Sequence, residues 1–175
     1  MRAFWIFILT LTFVHAAHAR PLTREEQSSL NQTRDRFIEA LTSADYEAVV
    51  DVIPPRVLSH IARTGGMPEA QLRAQMPKLM ATIFSKVDVQ KMEMRTEGIE
   101  VTTSRGKDGT AYVWGFAPTS LEMSSEGEKL TVNGHTLALR EKGKWFLVRT
   151  NDVQQVTILK TVYPFLQQAD FPDTE

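Results

Sequence analysis

Tyr112, Trp114 and Phe116 alternate with Ala111, Val113 and Gly115. Alternate side chains of a β-strand share a face at a spacing of about 7 Å, so the three rings form a row. Such a row can line a pocket for a flat apolar molecule, or it can be the core side of a sheet that helices cover. Aromatic side chains on strands usually pack, and packing is the favoured reading. Tyr112, nearest the start of the strand, is the ring best placed to offer a hydroxyl to a pocket mouth. With Tyr46, these three residues are the ligand-binding candidates.

Acid–base chemistry has fewer candidates. His60 lies between Leu58 and Ile61, and His135 follows Asn133-Gly134, an expected hairpin tip where a lone histidine is solvated. Either would need a partner within hydrogen-bond reach to act. The adjacency of Ser59 and His60 is no argument for a triad, because triads assemble in space. Asp45, Asp51, Glu97, Glu100 and Asp152 are the carboxylates to consider, and burial would raise the pKa of any that entered a pocket. Asp45 and Asp152 already have duties as helix caps. No residue is assigned a catalytic role.

The chain has no cysteine, which removes thiol nucleophiles, redox motifs and zinc–thiolate sites together. Of its four histidines, His15 and His18 fall in the leader described next. His60 and His135 alone cannot build a multi-histidine metal site, and no metal is expected. Gly65-Gly66 follows a helix rather than a strand, so it is not a phosphate cradle, and no cofactor is expected.

Residues Met1–Ala19 read as a cleavable signal peptide. Arg2 supplies the positive start, Ala3–Val14 runs without a charge, and Ala17-His18-Ala19 matches the small-x-small cleavage pattern. The apolar run is too short for a bilayer-spanning helix, which takes about 20 residues. No cysteine follows it for lipidation, and Arg2 has no neighbouring arginine. Export to a periplasm or outside the cell, with no membrane association after cleavage, is the expectation. Intact-mass measurement of the recovered protein should give a chain beginning at Arg20, within a residue or two. The full chain has 20 Lys and Arg against 21 Asp and Glu. That balance leaves no basic footprint for nucleic acid or for anionic lipid.

The elements that would position these residues divide the remaining chain into a helical half and a strand half. Thr23 and Glu26 form a capping box, and Leu30, Arg34, Phe37 and Leu41 follow at helical spacing. Asp45 caps a shorter helix ended by Pro54-Pro55. Arg56–Arg63 is a third helix. Leu72, Met76, Leu79 and Ile83 mark a fourth, which Pro77 should kink or divide. From Val87 the period becomes two, with a bulge expected between Val89 and Met92. Arg105–Gly109 is a hairpin loop, and Pro118 restricts the end of the aromatic strand. Ser124–Glu128 is a polar turn and Asn133-Gly134 the strongest hairpin signal. Trp145–Thr150 completes the sheet, and Val153, Val156 and Leu159 face inward from a last helix. Helices followed by an antiparallel meander define an α+β fold. Residues 1–19 are the leader, 20–166 a single α+β domain, and 167–175 a polar tail.

The first helix running through Leu41-Thr42-Ser43-Ala44-Asp45-Tyr46 resembles exported bacterial members of the nuclear transport factor two-like (cystatin-like) superfamily. So does the late sequence His135–Leu139 and Gly143-Lys144-Trp145-Phe146-Leu147-Val148, with its short helix and Tyr163-Pro164. The resemblance implies N-terminal helices packed in a strongly curved, cone-shaped antiparallel sheet, with a pocket at its wide end. It implies no single function, because the superfamily holds enzymes and binding domains alike. The expectation drawn from the residues is a non-catalytic exported domain that binds a small apolar ligand or a protein partner. A second copy docking through the sheet face is a further partner expectation. The alternatives are a cofactor-free isomerase or dehydratase, using a buried carboxylate with Tyr46 or Tyr112, and a periplasmic inhibitor or immunity-type protein.

Overall fold

The computed structural model describes residues 19–172. The leader expectation therefore lies, apart from Ala19, outside the described residues, as do positions 173–175 of the tail. Five helices and a six-stranded antiparallel sheet, not closed into a barrel, make an α+β fold.

A short strand β1 (Ala19–Pro21) leads into α1 (Arg24–Thr42). The helix starts where the capping box places it. The Thr23 backbone N–H donates to Glu26 Oε2 at 2.9 Å, and the Glu26 N–H donates to Thr23 Oγ1 at 3.2 Å. Glu26 is buried and also receives both Arg20 terminal nitrogens, at 2.7 and 2.8 Å. The Arg20 guanidinium, with help from Thr23, holds the Glu26 carboxyl down to about 2, from an ordinary 4.5. A carboxyl lowered on folding stabilises the fold fully above its unfolded pKa, and that share is lost as pH falls toward the folded value. Acid unfolding followed between pH 4.5 and 2 should thus be steeper in the native chain than in Glu26→Gln, which has no charge to lose there.

Helix α2 (Tyr46–Asp51) is capped by Asp45, whose Oδ1 accepts from the Ala48 N–H at 3.1 Å. Helix α3 (Pro55–Thr64) begins with proline at its first position, where no backbone donor is needed. Helix α4 (Glu69–Phe84) runs unbroken through Pro77, so the proline does not divide it. None of its residues is buried, and Leu79 and Ile83, expected inward, are 59% and 61% exposed. The carbonyl that Pro77 leaves without an N–H partner belongs to a helix on the periphery, where water can satisfy it.

Strands β2 (Val87–Met94), β3 (Glu100–Arg105), β4 (Ala111–Ser125), β5 (Glu128–Glu141) and β6 (Lys144–Arg149) follow, then α5 (Val153–Val162). The sheet order is β1-β3-β4-β5-β6, and β2 also pairs with β4. The bulge falls between Val89 and Lys91, as expected.

Two expectations fail in β4 and β5, each because of a distant partner. Pro118 does not end the aromatic strand. The first part of β4 pairs with β3 as far as Trp114, and the last part pairs with β2 from Thr119. Pro118 sits between those partners. Its carbonyl accepts the Arg95 N–H at 2.9 Å, and no ladder position there requires the N–H it lacks. Asn133-Gly134 is not a turn, and β5 passes straight through it. The one reversal between β4 and β5 is the turn expected within Ser124–Glu128, made by Glu126 and Gly127, both at positive φ (54° and 86°), as a tight hairpin turn demands. Gly134 is glycine for a different reason: a Cβ there would lie 2.6 Å from the Asn151 side chain.

Each face of the sheet carries a packed apolar cluster. Toward α1 lie Val101, Ala117, Leu121, Ala138, Trp145 and Leu147, packed with Leu30, Phe37 and Leu41. Toward the other side lie Tyr112, Leu137 and Leu139, packed with Val57 of α3 and with Leu159, Tyr163 and Leu166. Of the α5 residues expected inward, Leu159 is buried, whereas Val153 is 82% exposed.

Candidate functional site

Tyr112, Trp114 and Phe116 do share one sheet face, paired with Glu141, Leu139 and Leu137 of β5. The row is roofed by the end of the chain. Phe165 lies over Tyr112 and Trp114 with ring centroids 4.8 and 6.4 Å apart, and Phe171 meets Phe116 edge-on at 5.0 Å. Trp114 also donates from Nε1 to Ser104 Oγ at 3.0 Å. Tyr46 does not join them: it belongs to α2 and stacks on Phe84 of α4 at 5.7 Å.

Tyr112 is not at a pocket mouth. It is 1% exposed, and its hydroxyl points into a buried polar cluster built around Glu141. Arg56 Nε donates to Glu141 Oε1 at 3.0 Å, the Tyr112 hydroxyl approaches the same oxygen at 3.4 Å, and the Tyr163 hydroxyl approaches Oε2 at 3.3 Å. Arg56 also binds Asp108 in the β3–β4 loop, and that pairing draws the Asp108 carboxyl down to about 2. The same hydrogen bond raises the Arg56 guanidinium. Burial, reinforced by the Glu141 charge, pushes both tyrosine hydroxyls up. Both Glu141 oxygens are engaged by donors of the chain, so the cluster acts as a fastening of α3 and the C-terminal segment onto the sheet.

Glu141 does not stand out among the carboxylates in the sequence, because the Lys142-Gly143 turn beside it reads as surface. The signal that finds it is parity: Leu137, Leu139 and Glu141 fall at i, i+2 and i+4, on one face of the strand. Asp45 and Asp152 are caps, as expected. Glu97 pairs with Arg34 at 3.2 Å.

An open groove of about 780 Å³ lies farther along the same sheet face. Its sides come from the end of β2 (Glu93) and the adjoining Arg95, from β4 (Pro118, Ser120) and from β5 (Asn133, His135). His135 thus enters by way of the straight β5, not a hairpin tip, and its Nδ1 is buried without a hydrogen-bond partner among the described residues. His60, on α3, does not line the groove.

The walls are pinned from behind. The Thr150 N–H and hydroxyl both donate to the His135 carbonyl at 2.9 Å, and Asn151 Nδ2 donates to the Asn133 carbonyl at 3.3 Å. Beyond β2, fully buried Thr96 accepts from Arg34 Nη1 and donates to Asn31 Oδ1, each at 2.7 Å. That ties the Arg95–Glu97 wall to α1. Within the groove Glu93 is paired with Lys91 at 2.6 Å, whereas Arg95 makes no ion pair among the described residues. The chemistry on offer is a guanidinium, an imidazole nitrogen, a hydroxyl and an amide on a rigid sheet. Such a set recognises polar groups and holds them in register. No cluster of three or more metal-ligating side chains occurs among the described residues, and no helix of the described residues is long and apolar enough to cross a membrane.

No family model matches the chain, and no curated protein matches it. Among solved structures it is similar to Aln2 from a Streptomyces species, with a TM-score of 0.39 and 14% identity, over 74% of this chain and 94% of that one.

Proposed function

We propose that this chain is an exported, non-catalytic binding domain of the nuclear transport factor two-like kind, and that it grips a protein partner through the groove bounded by Glu93, Arg95, Ser120, Asn133 and His135. The observation that carries the reading is the contrast along one sheet face. The aromatic row, which would have held a small apolar ligand, is already occupied by the chain's own Phe165 and Phe171. The open stretch beside it is polar, lined by the His135 side chain and by Arg95, which makes no ion pair among the described residues. A mixed polar lining on rigid strands suits the main-chain and side-chain groups of a polypeptide.

The pocket-enzyme alternative places its buried carboxylate at Glu141, beside Tyr112 and Tyr163. Both oxygens of that carboxylate are taken up within the fold, which favours the binding reading.

The test is capture from the exporting compartment followed by affinity measurement. Arg95→Ala and His135→Ala should each weaken binding of the captured partner by roughly tenfold, the equivalent of about 1.4 kcal/mol. Such losses are typical where a few interface residues dominate. Unchanged affinity in both variants would place the partner elsewhere on the surface.

A further inference from the structure

The groove and the aromatic row are two parts of one strip. Tyr112, Trp114, Phe116, Pro118 and Ser120 alternate along β4, so the row runs into the groove without changing face. Across the ladder, Leu139, Leu137, His135 and Asn133 of β5 do the same.

At its Tyr112 end the strip lies under Phe165 of the Pro164–Leu166 helical turn. Phe171 covers Phe116, and the stretch from Gln167 to Pro172 that carries it has no regular secondary structure and no pairing with the sheet. The Gln167 and Ala169 N–H groups donate to the Pro164 and Leu166 carbonyls, closing hydrogen bonds within the C-terminal segment itself. Lys160 Nζ sits 5.0 Å from the centre of the Phe171 ring, so the ring is held between α5 and Phe116 of β4, with no backbone pairing to the strands. Phe116 remains half-buried beneath this cover, and its half-buried neighbour Trp114 lies under Phe165. A ring held on another ring chiefly by stacking is weakly fastened, and segments with few buried contacts open well before the whole fold does.

We propose that residues 167–172 form a displaceable strap, and that Phe171 stands in for an aromatic side chain of the partner. With the strap displaced, Phe116 becomes an apolar floor at the inner end of the polar groove, beside Trp114, which Phe165 still covers. The partner segment it fits carries an aromatic residue next to groups that hydrogen-bond to Ser120, Asn133 and His135. The identity of that occupant rests on the groove reading above; the opening of the strap does not.

Two measurements on the full chain decide it. In the native protein, the Gln167 and Ala169 amides should exchange with solvent at least about a hundredfold faster than the Leu137 and Leu139 amides of β5. In Phe171→Ala, the flat aromatic probe anilinonaphthalene sulfonate should bind roughly tenfold more tightly than to the native chain and quench tryptophan emission, with a cooperative thermal transition retained. Exchange of the strap amides only together with those of β5 would overturn the proposal. So would unchanged probe binding by a folded Phe171→Ala, and if that variant fails to fold, the exchange rates decide alone. The probe reads the strap without the partner, so the strap and the groove can fail separately.

Discussion

Trp145→Ala is expected to cost the fold about 3–5 kcal/mol, the range for truncating a buried aromatic side chain. Trp145 is 1% exposed, on the sheet face that meets α1. Its Nε1 donates to Ser29 Oγ at 3.0 Å, so the ring fills the helix–sheet interface and is hydrogen-bonded across it. Losing the ring leaves a cavity that the neighbouring strand, held in register, cannot close. Trp145→Phe keeps much of the packing but strands the Ser29 contact, and should cost about 1–3 kcal/mol. Chemical denaturation with a common m-value measures both. An unchanged midpoint for Trp145→Ala would mean that the ring does not join α1 to the sheet.

The second large effect is expected at Glu141. Glu141→Ala removes the acceptor that Arg56, Tyr112 and Tyr163 share. Arg56 retains Asp108 and is partly exposed, so most of the loss comes from the two buried tyrosine hydroxyls. At about 1–3 kcal/mol for each stranded polar group, a total of about 3 kcal/mol is expected. Tyr112→Phe or Tyr163→Phe alone should cost less, since each removes a donor and leaves Glu141 with the others. If the cluster is a fastening, the loss appears as stability and as earlier opening of α5. Glu141→Ala with unchanged stability would show that the cluster does not hold the C-terminal segment.

The parts of the fold that are legible from sequence are those decided by local chemistry. The capping box, the Asp45 and Asp152 caps, the bulge after Val89 and the turn within Ser124–Glu128 each depend on a few neighbouring residues. The α+β order follows from the change in hydrophobic period at Val87. The misreadings occur where a distant partner decides. Pro118 looks like a stop until β2 and β3 are seen to leave a gap beside it. Asn133-Gly134 looks like a turn until Asn151, far along the chain, is found against Gly134. Leu79 and Ile83 match an inward stripe on α4, but α4 lies on the periphery and the rest of the fold leaves them exposed.

The site is half legible for the same reason. The aromatic row and its shared face follow from parity. Nothing in residues 111–116 shows that Phe165 and Phe171 will roof it, or that Glu141 will sit under the Tyr112 hydroxyl. His135 stands out for its chemistry but reads as part of a hairpin tip, because the groove it lines exists only once β2 is placed beside the end of β4.

The central claim is that the groove holds a polypeptide, and a photoreactive amino acid at Ser120 tests it most directly. Ser120 is a groove residue on β4, and Val153, 82% exposed on α5, provides the control position. Irradiation in a host that exports the chain should give one dominant polypeptide adduct from Ser120 and none of that mass from Val153. The same adducts from both positions, or no polypeptide adduct from Ser120 while a small apolar molecule co-purifies with the chain, would contradict the account.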